Sequence, residues 1–479
     1  MHSASPKKRH DDSLRAAGAI LLVSCYELGQ QPLGLAMPMA RLEDAGFEPE
    51  AIDLAVDLFD ESRVTHARVV AISVPMHTAL RIGVGVAHRT RQLNPDCVVV
   101  FYGLYAALNA THLLDTVADV CLGAEFEAPL VELALTLDAG GKPPQPRPDI
   151  SRELAAAKKA APLTPKRNSL PPLSRYARLV KDGQYRNSGS VVTTRGCKHL
   201  CRHCPLPPLY NGRFYALPVD AVISDIQTLV DAGAEHITFA DPDFLNGPTH
   251  AQRIAREMHA RFPNLTFDYT AKIEHLNRHR DIVHDLKAQG SVFVVSAVES
   301  VNDRTLKLLA KGHRRKDIVD VIRFFRDIDL SLRPTFVPFT PWDTIADYRA
   351  LLDIVEGERL IDHIDPVQYS IRLLVPPGSF LLRVPEMRAQ LGDLDASRLT
   401  YTWTHPEPEM DELQRAVAAI AADAARNGRD AAETFFVIKG RAAPTGLPAL
   451  SKSADAAWIR RRFPLDRHRP PGLTENWFC

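Results

Sequence analysis

The chain has 479 residues, of which 45% are hydrophobic and 24% are charged, and its formal net charge is zero. This length suits roughly two or three ordinary domains, and the composition is that of a globular protein. The balanced charge argues against nucleic acid or a membrane surface as a partner, and no apolar run is long enough to span a membrane. The polar, basic start predicts a frayed tail rather than a signal peptide. Seven cysteines are too few, and odd in number, for a disulfide scaffold, so we expect a cytoplasmic location.

Strand and helix patterns alternate over residues 15–137. Apolar strand-like runs lie at 18–25, 69–76 and 97–103, and helical patterns separate them. This alternation is typical of a parallel, doubly wound sheet. We therefore predict a first α/β domain over 15–137.

Residues 138–188 are rich in proline and charge and contain one short helical stretch, which predicts a linker. From 189 onward, six strand-like runs alternate with helical ones: GSVVTTRGC, HITFADPDF, LTFDYTAKI, SVFVVSAVES, SLRPTFVPF and VQYSIRLLV. Six units are fewer than the eight of a closed barrel, so a partial (β/α)6 barrel is predicted over 189–384, with its site at the carboxyl ends of the strands. Residues 385–479 are expected to form a helical region and an extended tail.

Three cysteines stand close together in TTRGCKHLCRHCPLPP, directly after a strand-like run. Cys197, Cys201 and Cys204 form a CxxxCxxC array. Three thiolates on one loop can ligate three irons of a [4Fe–4S] cluster and leave the fourth iron open. An open coordination position is typical of a catalytic metal site.

Two other metal sites use the same cysteines. A structural zinc site could add His199 or His203 as its fourth ligand, although zinc cysteines usually come as two separated pairs. A ferredoxin-like electron-transfer site would need a fourth cysteine nearby, and the sequence has none there.

This array, placed after the first strand of a partial barrel, resembles the radical S-adenosylmethionine (SAM) superfamily over residues 186–376. The resemblance implies that Cys197, Cys201 and Cys204 hold a [4Fe–4S] cluster whose open iron binds the amino and carboxylate groups of SAM. It also implies reductive cleavage of a C–S bond, which releases a carbon radical. A small-molecule substrate and a reductant such as flavodoxin or ferredoxin are the implied partners.

The resemblance also suggests cofactor-binding side chains near the first strands. His203 stands just before the third cysteine, where the family often has an aromatic residue, so it is expected to pack against adenine. Asp241 and Asp243 lie where the second strand approaches the SAM amino group. A turn or N-cap role is the alternative for both aspartates.

Later strand ends add further candidates. Glu299 and Ser300 are similar in position to family residues that face the ribose and carboxylate of SAM, although Glu299 could instead pair with Lys311 or Arg304. Arg333 and Arg372 could contact a carboxylate in bidentate fashion, or each could close a structural ion pair.

The first domain resembles the flavodoxin-like, cobalamin-binding domain that precedes many radical SAM barrels. The stretches that carry this resemblance are 73–83, 101–106 and 123–130. Many such domains have a cobalt-ligating histidine in the loop after the first strand, but here that loop, CYELGQQPLGL, has none. Cobalamin is therefore a candidate cofactor without an axial histidine, and the alternative is a surface for substrate or partner.

The carboxyl-terminal residues, LTENWFC, resemble the tail of a radical SAM subfamily that ends in Cys-Sec-Ala-Glu-Pro or Cys-Cys-Ala-Glu-Pro. The stretches 337–342 and 371–379 are similar to the same group. A selenocysteine codon read as a stop would end the chain at Cys479. The resemblance implies a catalytic Cys479 that presents or reduces the substrate, and the alternative is an ordinary terminal thiol on a frayed tail.

These features predict a radical SAM enzyme with an unassigned reaction. A cobalamin-dependent radical SAM methyltransferase is one alternative. A non-catalytic iron–sulfur or zinc-binding protein is the other.

Overall fold

A computed structural model describes residues 13–143, 147–443 and 458–475. The chain divides into two compact units, one ending at Tyr176 and the other beginning at Ala177. The second unit includes both the strand–helix region and the carboxyl-terminal region, and the boundaries predicted at 137, 188 and 384 stay predictions.

The first unit is a parallel five-stranded sheet with helices between its strands. Its elements are β1 (Ile20–Ser24), α1 (Leu33–Asp44), β2 (Glu50–Asp53), α2 (Glu61–His66), β3 (Val69–Ser73), α3 (His77–Leu93), β4 (Val98–Tyr102), α4 (Leu104–Leu108), α5 (Ala110–Thr116), β5 (Val120–Cys121), α6 (Glu127–Asp138) and α7 (Ile150–Lys159). The strand order β2-β1-β3-β4-β5 is that of a flavodoxin-like sheet, as the alternating pattern predicts.

The central strands of this sheet contain only small and branched residues. Every residue of β1 (ILLVS) and β3 (VVAIS) is buried. Side chains on both faces of a parallel sheet are covered by crossover helices, which explains the unbroken apolar runs.

The second unit is built around a seven-stranded sheet. Its strands are β6 (Arg178–Lys181), β7 (Gln184–Val191), β8 (Thr194–Gly196), β9 (Phe214–Ala216), β10 (His236–Phe239), β11 (Thr266–Thr270), β12 (Ser291–Glu299), β13 (Ser331–Phe336), β14 (Leu391–Asp395), β15 (Thr400–Trp403) and β16 (Gly472–Leu473). Its helices are α8 (Pro207–Tyr210), α9 (Val219–Asp231), α10 (Pro248–Arg261), α11 (Ile273–Arg278), α12 (Arg280–Ala288), α13 (Asp303–Leu308), α14 (Arg315–Asp327), α15 (Ile345–Gly357), α16 (Pro385–Arg388), α17 (Pro408–Arg426) and α18 (Ala431–Arg441).

Five strands of the large sheet are parallel, in the order β13-β12-β11-β10-β7. β6 and β16 extend the β7 edge in antiparallel pairing. The helices between the parallel strands make this an open half barrel, whose strand-end loops lie at one edge. That edge carries the cysteine loop.

The sixth predicted barrel strand, VQYSIRLLV, does not form. The 3₁₀ helix Pro366–Ser370 replaces its first half, and a single bridge between Phe339 and Arg372 remains. Pro366 has no backbone N–H and favours a helical turn. The Gln368 side chain accepts a hydrogen bond from the Phe336 amide (3.0 Å), so it takes a donor on the β13 edge that a sixth strand would use.

The region after the half barrel contains a hairpin, β14–β15, that the sequence patterns do not indicate, followed by α17 and α18. Four further short 3₁₀ helices occur at Leu173–Arg175, Phe244–Asn246, Ile361–His363 and Phe380–Arg383. Among the helices in the described ranges, none combines the length and the apolar character that crossing a membrane requires.

Candidate active site

The cysteine loop begins where β8 ends, and a glycine makes its first turn. Gly196 has φ of +80°, and a Cβ there would lie 2.5 Å from the Arg213 carbonyl oxygen. A side chain at this position would be both strained and blocked, so the loop requires glycine. Cys197 follows directly.

The three cysteines are free thiols on one short turn. Cys197 and Cys201 are buried and Cys204 is half-buried, and the Cys204 amide donates to the Cys201 carbonyl at 3.2 Å. Burial raises the pKa of the Cys197 and Cys204 thiols, because a thiolate without a counter-charge is costly there. A bound iron cluster would supply that positive charge, so the donor set fits the [4Fe–4S] group.

Hydrogen bonds to other loops hold the cysteine loop in place. The Arg202 amide donates to the Leu309 carbonyl at 2.9 Å, and the Ser379 hydroxyl donates to the Arg202 carbonyl at 3.1 Å. Lys198 donates through its amide to the Asn246 side chain at 3.3 Å. The loop is therefore tied to the segments after β10, β12 and β13.

Asp241 supports the strand that leads into the cysteine loop. Its buried carboxylate accepts hydrogen bonds from the amide and hydroxyl of Thr193, both at 3.0 Å, and from the amide and hydroxyl of Thr194. Burial raises the pKa of Asp241 to about 6. The structure therefore gives Asp241 a turn-stabilising role, the alternative stated above, and a contact with the SAM amino group stays a prediction.

Asp243 lies at the centre of a buried polar cluster. It caps the Phe244–Asn246 turn by accepting from the Leu245 amide at 3.0 Å, and its other oxygen lies 2.7 Å from His275 Nδ1 and 3.5 Å from His199 Nε2. Burial acts to raise the pKa of Asp243, but the two histidines outweigh it and hold that pKa below its ordinary value.

Glu299 pairs with Lys311 and His203 at the end of β12. Its Oε1 lies 3.1 Å from both Lys311 Nζ and His203 Nε2, and all three side chains are at least largely buried. Burial acts to raise the pKa of Glu299, but Lys311 and His203 outweigh it and lower that pKa strongly. Glu299 has φ of +71° next to a register shift in the β12–β13 pairing. A strained, non-glycine conformation of this kind is typical of functional sites.

The geometry of the Glu299 pair bears on two predictions. The pairing of Glu299 with Lys311 is the structural alternative stated above. His203 Nε2 faces Glu299 and not open space, while its Nδ1 is buried without a hydrogen-bond partner. Contacts of Glu299 and His203 with SAM stay predictions.

Ser300 belongs to a second buried network. Its hydroxyl donates to Asp343 Oδ1 at 3.2 Å, and Asp343 also accepts from Thr305 (2.9 Å) and Thr340 (2.6 Å). Burial raises the pKa of Asp343 to about 6. Asp343, which sequence reasoning missed, therefore fixes the loops after β12 and β13 relative to each other.

The two predicted arginines are engaged with protein groups. Arg333 pairs with Asp365 at 3.4 Å. Arg372 pairs with Asp411 at 2.5 Å and lies over the Trp403 ring at 3.5 Å from its centroid. Both arginines thus close structural ion pairs, and their binding of a cofactor carboxylate stays a prediction.

Sequence reasoning also missed part of the site. His275 meets the other groups only because the loops after separate strands converge at one edge of the sheet. The stretch YTAKIEHL already pointed to this loop, but not to this side chain. Cys479 lies outside the described residues.

Residues 191–352 match the sequence model of the Radical SAM superfamily. The chain carries a radical SAM domain. The three cysteines lie inside the matched range, and a radical SAM domain implies a [4Fe–4S] cluster and SAM as cofactors.

Curated relatives match less than half of this chain. The ribosomal protein uS12 methylthiotransferase RimO of Methylococcus capsulatus is 27% identical over 205 residues, which are 39% of this chain and 46% of that protein. A tRNA-2-methylthio-N(6)-dimethylallyladenosine synthase of Hahella chejuensis is 25% identical over 46% of this chain and 51% of its own. The chain spans about half the length of the curated relatives it matches.

Two solved structures share the fold. The radical SAM methyltransferase TsrM of Kitasatospora setae, with tryptophan and a SAM analogue bound, gives a TM-score of 0.63 at 16% identity and covers 86% of this chain and 90% of its own. The cobalamin-dependent radical enzyme OxsB, with aqua-cobalamin bound, gives 0.64 at 13% identity over 88% and 72%. The predicted fold, a flavodoxin-like parallel sheet followed by a half barrel, is confirmed. The tail subfamily stays a prediction.

The first unit's sheet has its own polar edge, where a flavodoxin-like domain would bind a cofactor. Arg167 donates to the Gln31 side chain at 3.3 Å, and Gln31 donates to the Pro171 carbonyl at 3.0 Å. Tyr176 donates to Asp53 at 2.9 Å. The chain's own residues 167–176 therefore bond to this edge.

The first turn of α1 also packs closely against this edge. A Cβ on Gly34 would lie 2.4 Å from the Ser73 hydroxyl, so helix and strand end touch there. The Gly34 carbonyl accepts from the Tyr102 hydroxyl at 2.7 Å. With no histidine in the loop after β1, these residues do not fit a cobalamin bound through an axial ligand from that loop.

Proposed function

We propose that this radical SAM enzyme holds its [4Fe–4S] cluster with Cys197, Cys201 and Cys204 and cleaves SAM reductively to start radical chemistry on a small molecule. When bound, the cluster would supply the electron that breaks a C–S bond of SAM. A flavodoxin or ferredoxin in the cytoplasm is the proposed reductant. The observation that carries the proposal is the position of three thiols on one loop at the carboxyl edge of the half barrel.

Residues next to the cysteine loop support this role, because they keep a buried carboxylate charged. Glu299, kept ionised by Lys311 and His203, offers a buried carboxylate that can accept hydrogen bonds from hydroxyl groups such as those of a ribose. His203 Nδ1 remains buried and unpaired, so it is the ring atom that can meet a ligand. The buried setting also excludes water, which protects a reactive carbon radical.

Anaerobic reconstitution with iron and sulfide tests the proposal. We expect about four irons per chain and SAM cleavage under reducing conditions. Cys204→Ala should lose the cluster and the cleavage, while Cys97→Ala, which changes a buried cysteine of the first unit, should keep both. A protein that binds only zinc, or iron that never cleaves SAM, would support the non-catalytic alternative. The product, 5′-deoxyadenosine or a methylthioadenosine, identifies which bond is broken.

Cobalamin-dependent methyl transfer is the second candidate. The fold similarity to TsrM and OxsB favours it, and the closed edge around Gln31 and Gly34 disfavours it. Retention of hydroxocobalamin after gel filtration would support it. If no cobalamin is retained, the first unit instead serves as a surface for substrate or partner.

The tail subfamily adds a proposal for Cys479. A terminal thiol, alone or beside a selenol, would carry or reduce a soft substrate atom. Reading the gene beyond codon 479 tests the selenoprotein idea. A TGA stop followed by codons for Ala-Glu-Pro supports it, and any other stop leaves Cys479 an ordinary thiol.

A further inference from the structure

Three metal-ligating side chains from three segments converge next to the cysteine loop. His199 lies between Cys197 and Cys201, Asp243 follows β10, and His275 lies in α11 after β11. One donor atom of each lies within 4.8 Å of the other two. No cysteine takes part, so this cluster is separate from the thiol site.

The distances match those of a small transition-metal site. His199 Nε2 lies 3.2 Å from His275 Nε2 and 3.5 Å from Asp243 Oδ2. Ligand atoms about 2.0–2.1 Å from a tetrahedral metal ion are separated by roughly 3.3 Å. His199 is therefore spaced as a co-ligand of His275 and of Asp243, and one donor atom of each of the three side chains lies within 4.8 Å of the other two.

Hydrogen bonding within the cluster is incomplete. His275 is fully buried, and its Nδ1 lies 2.7 Å from Asp243 Oδ2 but makes no hydrogen bond of acceptable geometry. The two Nε2 atoms lie 3.2 Å apart, so one can donate a hydrogen bond to the other, while His275 Nδ1 is left without a bond of good geometry. A cation between the histidines and the carboxylate would satisfy all three groups.

A neighbouring carboxylate lies near the position from which metal-bound histidines usually receive outer support, although it is too distant for a hydrogen bond. Glu274 Oε2 lies 3.9 Å from His199 Nδ1, on the ring side opposite the cluster. Glu274 also lies 3.7 Å from Lys272 Nζ, which offsets the one nearby lysine charge. Two carboxylates and two imidazoles thus face one lysine.

We propose that His199, Asp243 and His275 bind a divalent transition-metal ion, in addition to the iron–sulfur cluster. Two histidines and one carboxylate leave at least one coordination position open, as in catalytic zinc and non-haem iron sites. That position can take an oxygen or nitrogen ligand of the substrate or of SAM. This inference goes beyond the proposed function and does not depend on it.

Metal analysis of the reconstituted holoenzyme tests the site. After incubation with Zn²⁺ and desalting, we expect about one zinc per chain in addition to the iron. His199→Asn should lose the zinc, whereas His284→Ala, which changes an exposed histidine on the neighbouring α12, should keep it. Equal zinc in His199→Asn and wild type would overturn the proposal. Iron is measured in the same sample, so failure of the cluster and failure of this site are distinguishable.

A second experiment excludes zinc held by the cysteines. The full chain with Cys197→Ser, Cys201→Ser and Cys204→Ser is titrated with Co²⁺, whose visible absorption reports nitrogen and oxygen ligands without sulfur. We expect about one equivalent of Co²⁺ to bind to this variant. Adding His275→Gln should weaken the binding of Co²⁺ at least tenfold. Circular dichroism confirms that both chains are folded. A folded triple variant that binds no Co²⁺ would show that these groups form only a hydrogen-bonded network.

Discussion

The carboxyl edges of the two parallel sheets differ in how their polar groups are paired. At the first sheet, Gln31 bonds to Arg167 and Pro171, and Asp53 bonds to Tyr176. Buried side-chain atoms without a partner occur in this unit too, among them Gln30 Oε1 after β1 and Glu153 Oε2, whose other oxygen accepts from the Gly123 amide after β5.

At the second sheet, buried polar atoms beside the cysteine loop have no hydrogen-bond partner. His203 Nδ1 and Asn246 Nδ2 lack hydrogen-bond partners, and both flank the cysteine loop. Buried polar groups in folded proteins are nearly always bonded, so unpaired ones indicate where a ligand completes the network. The contrast therefore lies in the cysteine loop that the second edge carries, because function depends on the site rather than on the sheet.

The largest expected effect comes from blocking the turn before the cysteines. Gly196→Ala places a Cβ 2.5 Å from a backbone oxygen, at a residue whose φ is +80°. We therefore expect the free energy of the folded loop to rise by about 3 kcal/mol or more, with loss of most bound iron. Gly183→Ala is the matched control, because Gly183 also has a positive φ (+74°) but open space around it. It should cost about 1 kcal/mol and keep the iron. Equal iron in both variants would contradict the account of this loop.

Breaking the buried ion pair at the second edge comes next. Lys311→Met leaves Glu299 charged and buried, with an expected loss of about 3–5 kcal/mol in the free energy of unfolding. The double change Lys311→Met with Glu299→Gln should recover part of that loss, since no isolated charge remains. Urea unfolding of the two single variants and the double variant measures the coupling. Additive losses would mean that the pair does not interact.

The buried Asp343 network predicts a pH effect. The pKa of Asp343 is raised to about 6, so the folded state favours its protonated form. Its contribution to stability is full below the unfolded pKa near 4 and is lost as the pH rises through about 6, by roughly 3 kcal/mol. Asp343→Asn should flatten the stability curve between about pH 4 and 6. Parallel curves for wild type and variant would refute this assignment.

The smallest effect is expected at Arg372. Arg372→Lys keeps the charge near Asp411 but loses the planar contact with the Trp403 ring, at a cost of about 1 kcal/mol. SAM affinity should not change if the arginine is structural. A tenfold loss of SAM affinity at unchanged stability would instead support the cofactor-binding prediction.

Much of the fold and the core of the site follow from sequence patterns. Fully apolar strands predict a two-sided parallel sheet, and the CxxxCxxC spacing identifies the metal loop without knowledge of the fold. The sixth strand was wrongly expected because VQYSIRLLV has a strand-like composition, while the Gln368 contact that replaces it is made with a residue 32 positions earlier.

The partners of the predicted residues could not be obtained from spacing. Arg372 meets Asp411, which lies 39 positions later in the chain, and His199 meets His275, which lies 76 positions later. Such pairs are set by the order of strands in the sheet, which local patterns do not encode. Lys311 was foreseen as a partner of Glu299 because only 12 positions separate them within one loop-and-helix segment.

Electron paramagnetic resonance of the reduced, reconstituted protein tests the central claim most directly. The account predicts the signal of a reduced [4Fe–4S] cluster that changes shape when SAM is added, because SAM binds the iron that the three cysteines leave open. Cys204→Ala should show neither the signal nor the change. A wild-type signal that SAM leaves unaltered, or a colourless protein without iron, would contradict the account.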